Sequence, residues 1–303
     1  MFDDADAAIE AQQRIIEHDG PLEVHLLSLN SLRNEQRKIR AEIAEIMRQR
    51  EFEFVDFALD GSRYAKHRAN AQHLGAFLHA MQKLYAHIKH GKLVRNAPQR
   101  ISPALLNRCQ LDVEAFFPSS FGVRFVAYTE TDLDDGYSAT NEALEATFDL
   151  VSADNPLEVV DRVTPWAMRQ YRNLVATLIK ADATPKVYWT TPAGDERKWS
   201  LDNNALMTLH NRLATLHHEP TRTLEAEGVL SGANTRRRRF ELSGATLITG
   251  TAPKELELKI TAYFNKPCRI VYSETIFIDD STEQEKRVRT LLDITPVAQT
   301  PNK

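Results

Sequence analysis

An α+β protein in two parts is what this sequence predicts: an α-helical and β-hairpin domain over residues 1–220, then a small β-barrel-like domain over residues 221–303. Three observations carry that expectation. Long segments before residue 220 repeat apolar side chains at helical spacing. Between them lie strands with clear alternation and polar turns. After Glu219-Pro220 the pattern changes to short alternating segments with one helix among them.

In chain order, residues 4–18 have helical spacing and stop at Asp19-Gly20-Pro21. Residues 22–29 are apolar and open to strand or helix entry. Residues 31–50 form an amphipathic helix, with Leu32, Ile39, Ile43 and Ile46 near a heptad seam and Gln36 at one polar position. Glu53, Val55, Phe57 and Leu59 alternate with Phe52, Phe54, Asp56 and Ala58, a strand that turns at Asp60-Gly61. A second helix covers about 69–89, with Phe77, Met81, Leu84 and Ile88 on its buried face, and ends at His90-Gly91. Residues 105–130 read as a hairpin turning at Pro118-Ser119-Ser120, and an acidic loop fills 129–136. Helices follow at 139–152, 156–163 and 165–181; Pro156 and Pro165 suit first-turn positions. A strand at 186–191 and a helix at 202–217 complete the first part.

Beyond it, strands are expected at 221–230, 235–242 and 245–250, a helix at 253–264, and strands at 268–278 and 286–294. The breaks are Gly232-Ala233-Asn234, Ser243-Gly244 and residues 279–282. Three strands, a helix and two strands is the element order of an OB-fold, so an OB-like barrel is the fold expected of residues 221–303.

Composition narrows the function classes. A 42% hydrophobic content supports packed cores. No apolar run approaches a membrane span, the first residues are acidic, and two distant cysteines make neither a disulfide framework nor a Cys-rich zinc site. A cytoplasmic protein with no membrane partner is expected. No phosphate-cradling Gly-x-x-x-x-Gly-Lys-Ser/Thr or dinucleotide Gly-x-Gly-x-x-Gly motif occurs, and no cofactor is expected. The net charge of -4 conceals blocks: residues 1–30 carry -6, 31–100 carry +7, 101–220 carry -7 and 221–303 carry +2. Such blocks suit an anionic partner, or mutual neutralisation within the fold or across a homo-oligomer.

The sharpest local signal is the run Arg236, Arg237, Arg238 and Arg239. Adjacent cations repel, so they call for carboxylates or an anionic ligand. If the run lies in a strand, Arg236 and Arg238 share one face and Arg237 and Arg239 the other. Phosphate contacts from one pair, with Phe240, Tyr263, Phe264 and Tyr272 as stacking platforms, would bind nucleic acid. The alternative is a cross-strand ladder with Glu225, Glu227 and Glu241. Arg37, Lys38 and Arg40 on the basic helix add further phosphate contacts. The histidines His79, His87 and His90, with Lys83 among them, form a polar stripe in which the lysine argues against a metal.

Two segments, Arg68 to His73 and Arg212 to His217, resemble the Arg-x4-His spacing of HEPN-type ribonucleases. That resemblance implies a metal-independent cleavage in which the arginine stabilises the phosphorane and the imidazole moves a proton. The family's polar residue after the arginine is replaced here by Ala69 and Leu213. The expectation is therefore a non-enzymatic protein that binds nucleic acid or another polyanion, such as would serve as an accessory or sensor in bacterial phage defence. A homo-oligomeric interaction scaffold and a HEPN-like ribonuclease are the alternatives.

Overall fold

The computed structural model describes residues 11–297 apart from 13, 17, 19–22, 49–51, 63, 65–67, 95–96, 98, 118–120, 130–137, 193–194 and 235–237; for 23–24, 36, 39–41 and 43–48 the backbone alone is described. The acidic loop, the hairpin turn and most of the expected first helix therefore lie outside the described residues. Two sheets with flanking helices make a mixed α+β fold.

The first sheet has the order β2-β3-β1-β4-β5, from β1 (Phe52–Asp60), β2 (Asp112–Phe117), β3 (Gly122–Tyr128), β4 (Thr184–Thr190) and β5 (Glu196–Ser200). All its neighbours are antiparallel; Phe57 sits opposite Val123 on one side and Val187 on the other. The alternation in β1 puts Val55, Phe57 and Leu59 into the core. There Phe57 meets Phe125 and Phe77 edge-on at 5.3 and 5.6 Å. On the opposite face Arg124 donates two 2.7 Å hydrogen bonds to its cross-strand partner Asp56.

Helices α2 (Ala71–Leu93), α4 (Ala139–Ser152) and α5 (Pro165–Lys180) cover the apolar face, and α6 (Asn203–Thr215) packs behind α5. Each begins where a side-chain oxygen caps free backbone donors: Asn70, Ser138, Thr164 and Asp202. Helix α2 runs through Gly91 to Leu93 instead of stopping there. The short α3 (Pro103–Arg108), capped by Ser102, takes the first residues of the segment expected as a hairpin, whose arms are β2 and β3. Residues 156–163 form a 3₁₀ turn, Pro156–Arg162.

Helix α1 (Glu23–Arg48) absorbs residues 23–29 into one long helix. Among the described residues, neither sheet nor the helices on it pack along α1 beyond isolated contacts.

The second sheet has the order β11-β9-β8-β7-β10-β6, and β10 also pairs with β11. Its strands are β6 (Leu216–His218), β7 (Arg222–Asn234), β8 (Arg239–Gly244), β9 (Leu247–Thr251), β10 (Pro267–Asp279) and β11 (Gln284–Pro296). Leu230, Phe240, Leu242, Ile270, Tyr272 and Leu291 form a second core, closed by Leu256 and by Ile260 of α7 (Glu257–Tyr263). Strand β10 spans both cores, because Phe277 near its far end belongs to the first. Asp279 secures that end: it accepts from Ser281 N, Ser281 Oγ and Thr215 Oγ1, tying the hairpin to the end of α6.

Strands β9 and β11 meet in parallel at Thr251 and Thr290. Their approach depends on Gly250, where a Cβ would lie 2.5 Å from the Arg289 carbonyl oxygen. A Gly250→Val substitution is expected to part the two strands and cost about 2 kcal/mol. Urea denaturation monitored by far-UV circular dichroism checks this, and an unchanged midpoint would show that the contact is not required.

Candidate functional site

The described part of the arginine run is not a strand interior: β7 continues through Gly232 to Asn234, Arg238 lies before β8, and β8 begins only at Arg239. Arg236 and Arg237 lie outside the described residues. Arg238 occupies the left-handed region with φ 49°, and Arg239 opens β8 opposite Asn234. The reading of alternating strand faces therefore does not apply.

The connection turns toward the first half of the chain. The Arg238 guanidinium lies 3.2 Å from Glu142 on α4, and that of Arg239 binds Asp161 in the 3₁₀ turn. Asp161 also takes Lys286 of β11 at 3.2 Å. Asp149, one helical repeat beyond Glu142, binds Arg162 and lies 3.5 Å from Arg197. Glu142 and Asp149 share a face of α4 because seven residues make about two turns. Burial alone would raise the Asp161 carboxyl, but the hydrogen bonds and charges of Arg239 and Lys286 hold it below the ordinary carboxylate value. Lys92, whose ammonium donates to the Arg162 carbonyl at 3.0 Å, is pushed down chiefly by burial. Among the described residues, these three carboxylates thus contact five cations in this cluster.

The expected carboxylate partners serve elsewhere. Glu225 and Glu227 pair with Arg269 across β7 and β10, and Glu241 accepts from Ser231 Oγ. The acids that hold Arg238 and Arg239 come from distant sequence.

The charge cluster lies along a cleft of about 1940 Å³ between the two halves. One wall carries Glu142, Asp149, Asp161, Arg162 and Trp166; the other carries Arg238, Arg239 and hydroxyls from Thr221, Thr223, Ser273 and Thr275. Thr221 Oγ1 and Thr275 Oγ1 pair at 2.8 Å, and Ser273 Oγ donates to the Thr290 carbonyl at 3.5 Å. Arg37 and Lys38 are exposed on α1, and Arg37 donates to Asn34; neither lines the cleft. The Arg40 side chain lies outside the described set.

The expected aromatic platform does not line the cleft. Phe240 and Tyr272 are core residues with 2% and 7% exposure, and Tyr263 packs against them. Phe264 is exposed without lining the cleft. The aromatic ring that does line it is Trp166, the second residue of α5, which meets His218 edge-on at 6.3 Å. Sequence reading passed over Trp166, although an indole beside Pro165 at a helix start, off the buried stripe, was visible.

The histidine stripe is not wholly solvated. His79 and Lys83 are exposed, but His90 is buried and His87 half-buried. Burial lowers the affinity of both imidazoles for a proton, and His90 and Lys83 lower that of His87 further. Among the described residues no three His, Cys, Asp or Glu side chains converge to hold a metal ion. Neither Arg-x4-His pair shares a helix. Arg68 precedes the Asn70 cap of α2, whereas His73 lies within it. Arg212 donates from α6 to the Asp154 carbonyl, while His217 lies in β6, 3.2 Å from Asp280. The arrangement the ribonuclease resemblance requires is absent at both places.

No described helix is long and apolar enough to cross a membrane. Comparison with protein-family models, curated proteins and solved structures gave no match.

Proposed function

We propose that the chain is a non-enzymatic nucleic-acid-binding protein whose residues 221–303 make an OB-like unit. The neighbour relations support that fold: β7 lies between β8 and β10, β9 lies beside β11, and β10 pairs with β11. OB-folds bind oligonucleotides with their second and third strands and with the loops joining strands one to two and four to five. In this chain the four consecutive arginines begin between the first and second of these strands and end at Arg239, the first residue of the second, and Arg238 and Arg239 line the cleft. That placement, on a cleft rather than on open surface, carries the reading. Glu142 and Asp161 occupy guanidinium groups that phosphates would take, so a ligand binds by exchanging with them.

Binding of labelled DNA and RNA across a salt series tests this. Phosphate contacts predict a log–log slope of about -0.7 per contact for single strands. An Arg238→Gln/Arg239→Gln variant is expected to flatten the slope by about one to two units. Equally weak, salt-independent binding by both proteins would reject the proposal.

A second reading, a homo-oligomeric scaffold, is favoured by α1. Among the described residues it makes only isolated contacts with the sheets; Leu29 is buried, but Leu26 and Leu27 are exposed by 42% and 63%. Sedimentation is expected to show a larger species that Leu26→Asp/Leu27→Asp dissociates; a monomeric wild type would dismiss it.

A further inference from the structure

We infer that the cleft binds single-stranded nucleic acid by stacking an unpaired base on Trp166; this rests on the proposed nucleic-acid reading and adds where a base is held. Trp166 belongs to neither core cluster and packs into neither from the side. Its indole is half-buried in the cleft wall, edge-on to His218 with an interplanar angle of 84°. His218 is itself steadied, with Nδ1 3.0 Å from the Glu219 carbonyl and its ring 5.7 Å from that of Phe277. A large aromatic ring left outside both cores, in a polar cleft, offers a π-face to a ligand.

The phosphate contacts are within reach. Asp161, which binds Arg239, precedes Trp166 by five residues, so their Cα atoms are at most about 18 Å apart. A strand of a few nucleotides spans that distance. Duplex DNA does not satisfy both contacts, because its bases are stacked on one another and present no free face. The cleft volume, well above that of ordinary small-molecule pockets, suits a polymer segment better than a metabolite.

The test uses the full chain, an oligothymidylate of about 16 nucleotides and a duplex of the same length. Trp189 and Trp199 are buried with 1% and 7% exposure, so a ligand-induced change in tryptophan emission reports on Trp166. Oligothymidylate is expected to quench wild-type emission and to bind more tightly than the duplex. Trp166→Ala is expected to weaken it roughly tenfold or more. Trp166→Phe is expected to keep most affinity while losing the quench. The emission of the buried tryptophans verifies that both variants fold. If oligothymidylate binds with a salt slope that Arg238→Gln/Arg239→Gln reduces, but without quenching or loss in Trp166→Ala, stacking is overturned and the phosphate reading stands. If the wild type binds neither nucleic acid, both fall.

Discussion

Replacing Glu53 by glutamine is expected to stabilise the protein by about 3 kcal/mol at about pH 8, and to change little near pH 4. Glu53 lies on the core face of β1 with 2% exposure, and its carboxylate accepts from Trp189 Nε1 at 3.1 Å. Burial pushes its pKa from 4.5 up to about 7; the Trp189 hydrogen bond pulls it down only in part. The folded chain therefore holds this proton more tightly than the unfolded chain does. Stability falls as pH rises from the unfolded value through the folded one, and the full penalty persists above about 7. Glutamine keeps an oxygen for Trp189 and carries no charge to desolvate. Urea denaturation at several pH values should show the wild-type curve falling away from a flatter variant curve. Parallel curves would mean that the fold already accommodates the carboxylate charge.

Glu53 also illustrates how far sequence reaches into this fold. Its place between Phe52 and Phe54 was legible from alternation, and so were the strand, its neighbouring hairpin and the helices capped by Asn70, Ser138, Thr164 and Asp202. The element order after residue 220 was legible for the same local reasons. Strand β5 was not, because Glu-Arg-Lys-Trp-Ser on a sheet edge shows no apolar alternation. The turn before β8 was misplaced because Gly232 reads as a break. In the structure it sits in a strand irregularity after Leu230, where a Cβ would come within 2.9 Å of Glu241 Cβ. The cleft was least legible. Arg239 and Asp161 are 78 residues apart, and Trp166 lines the cleft only because β10 carries the second core against the first. Charge runs reveal a demand for counter-ions, while their source is set by tertiary docking.

That docking can be tested at Asp161, where Asp161→Lys is expected to cost about 3 kcal/mol. The carboxylate is largely buried between Arg239 and Lys286, and reversal would set a third cation against both. Its native contribution is present above the ordinary carboxylate value of 3.8 and is lost as pH falls through the depressed folded value. Exchanging the charges in Asp161→Lys/Lys286→Asp should recover a good part of the loss, because the two side chains are in direct contact. Equilibrium denaturation of the two single variants and the double variant measures this coupling; a double variant no more stable than the sum of the singles would show that the contact does not join the halves. The milder Asp161→Asn separates structure from binding. It should lower stability, yet raise affinity for oligothymidylate, since the carboxylate that competes with phosphate for Arg239 is gone. Reduced affinity together with reduced stability would instead make Asp161 a support of the cleft and not the rival of its ligand.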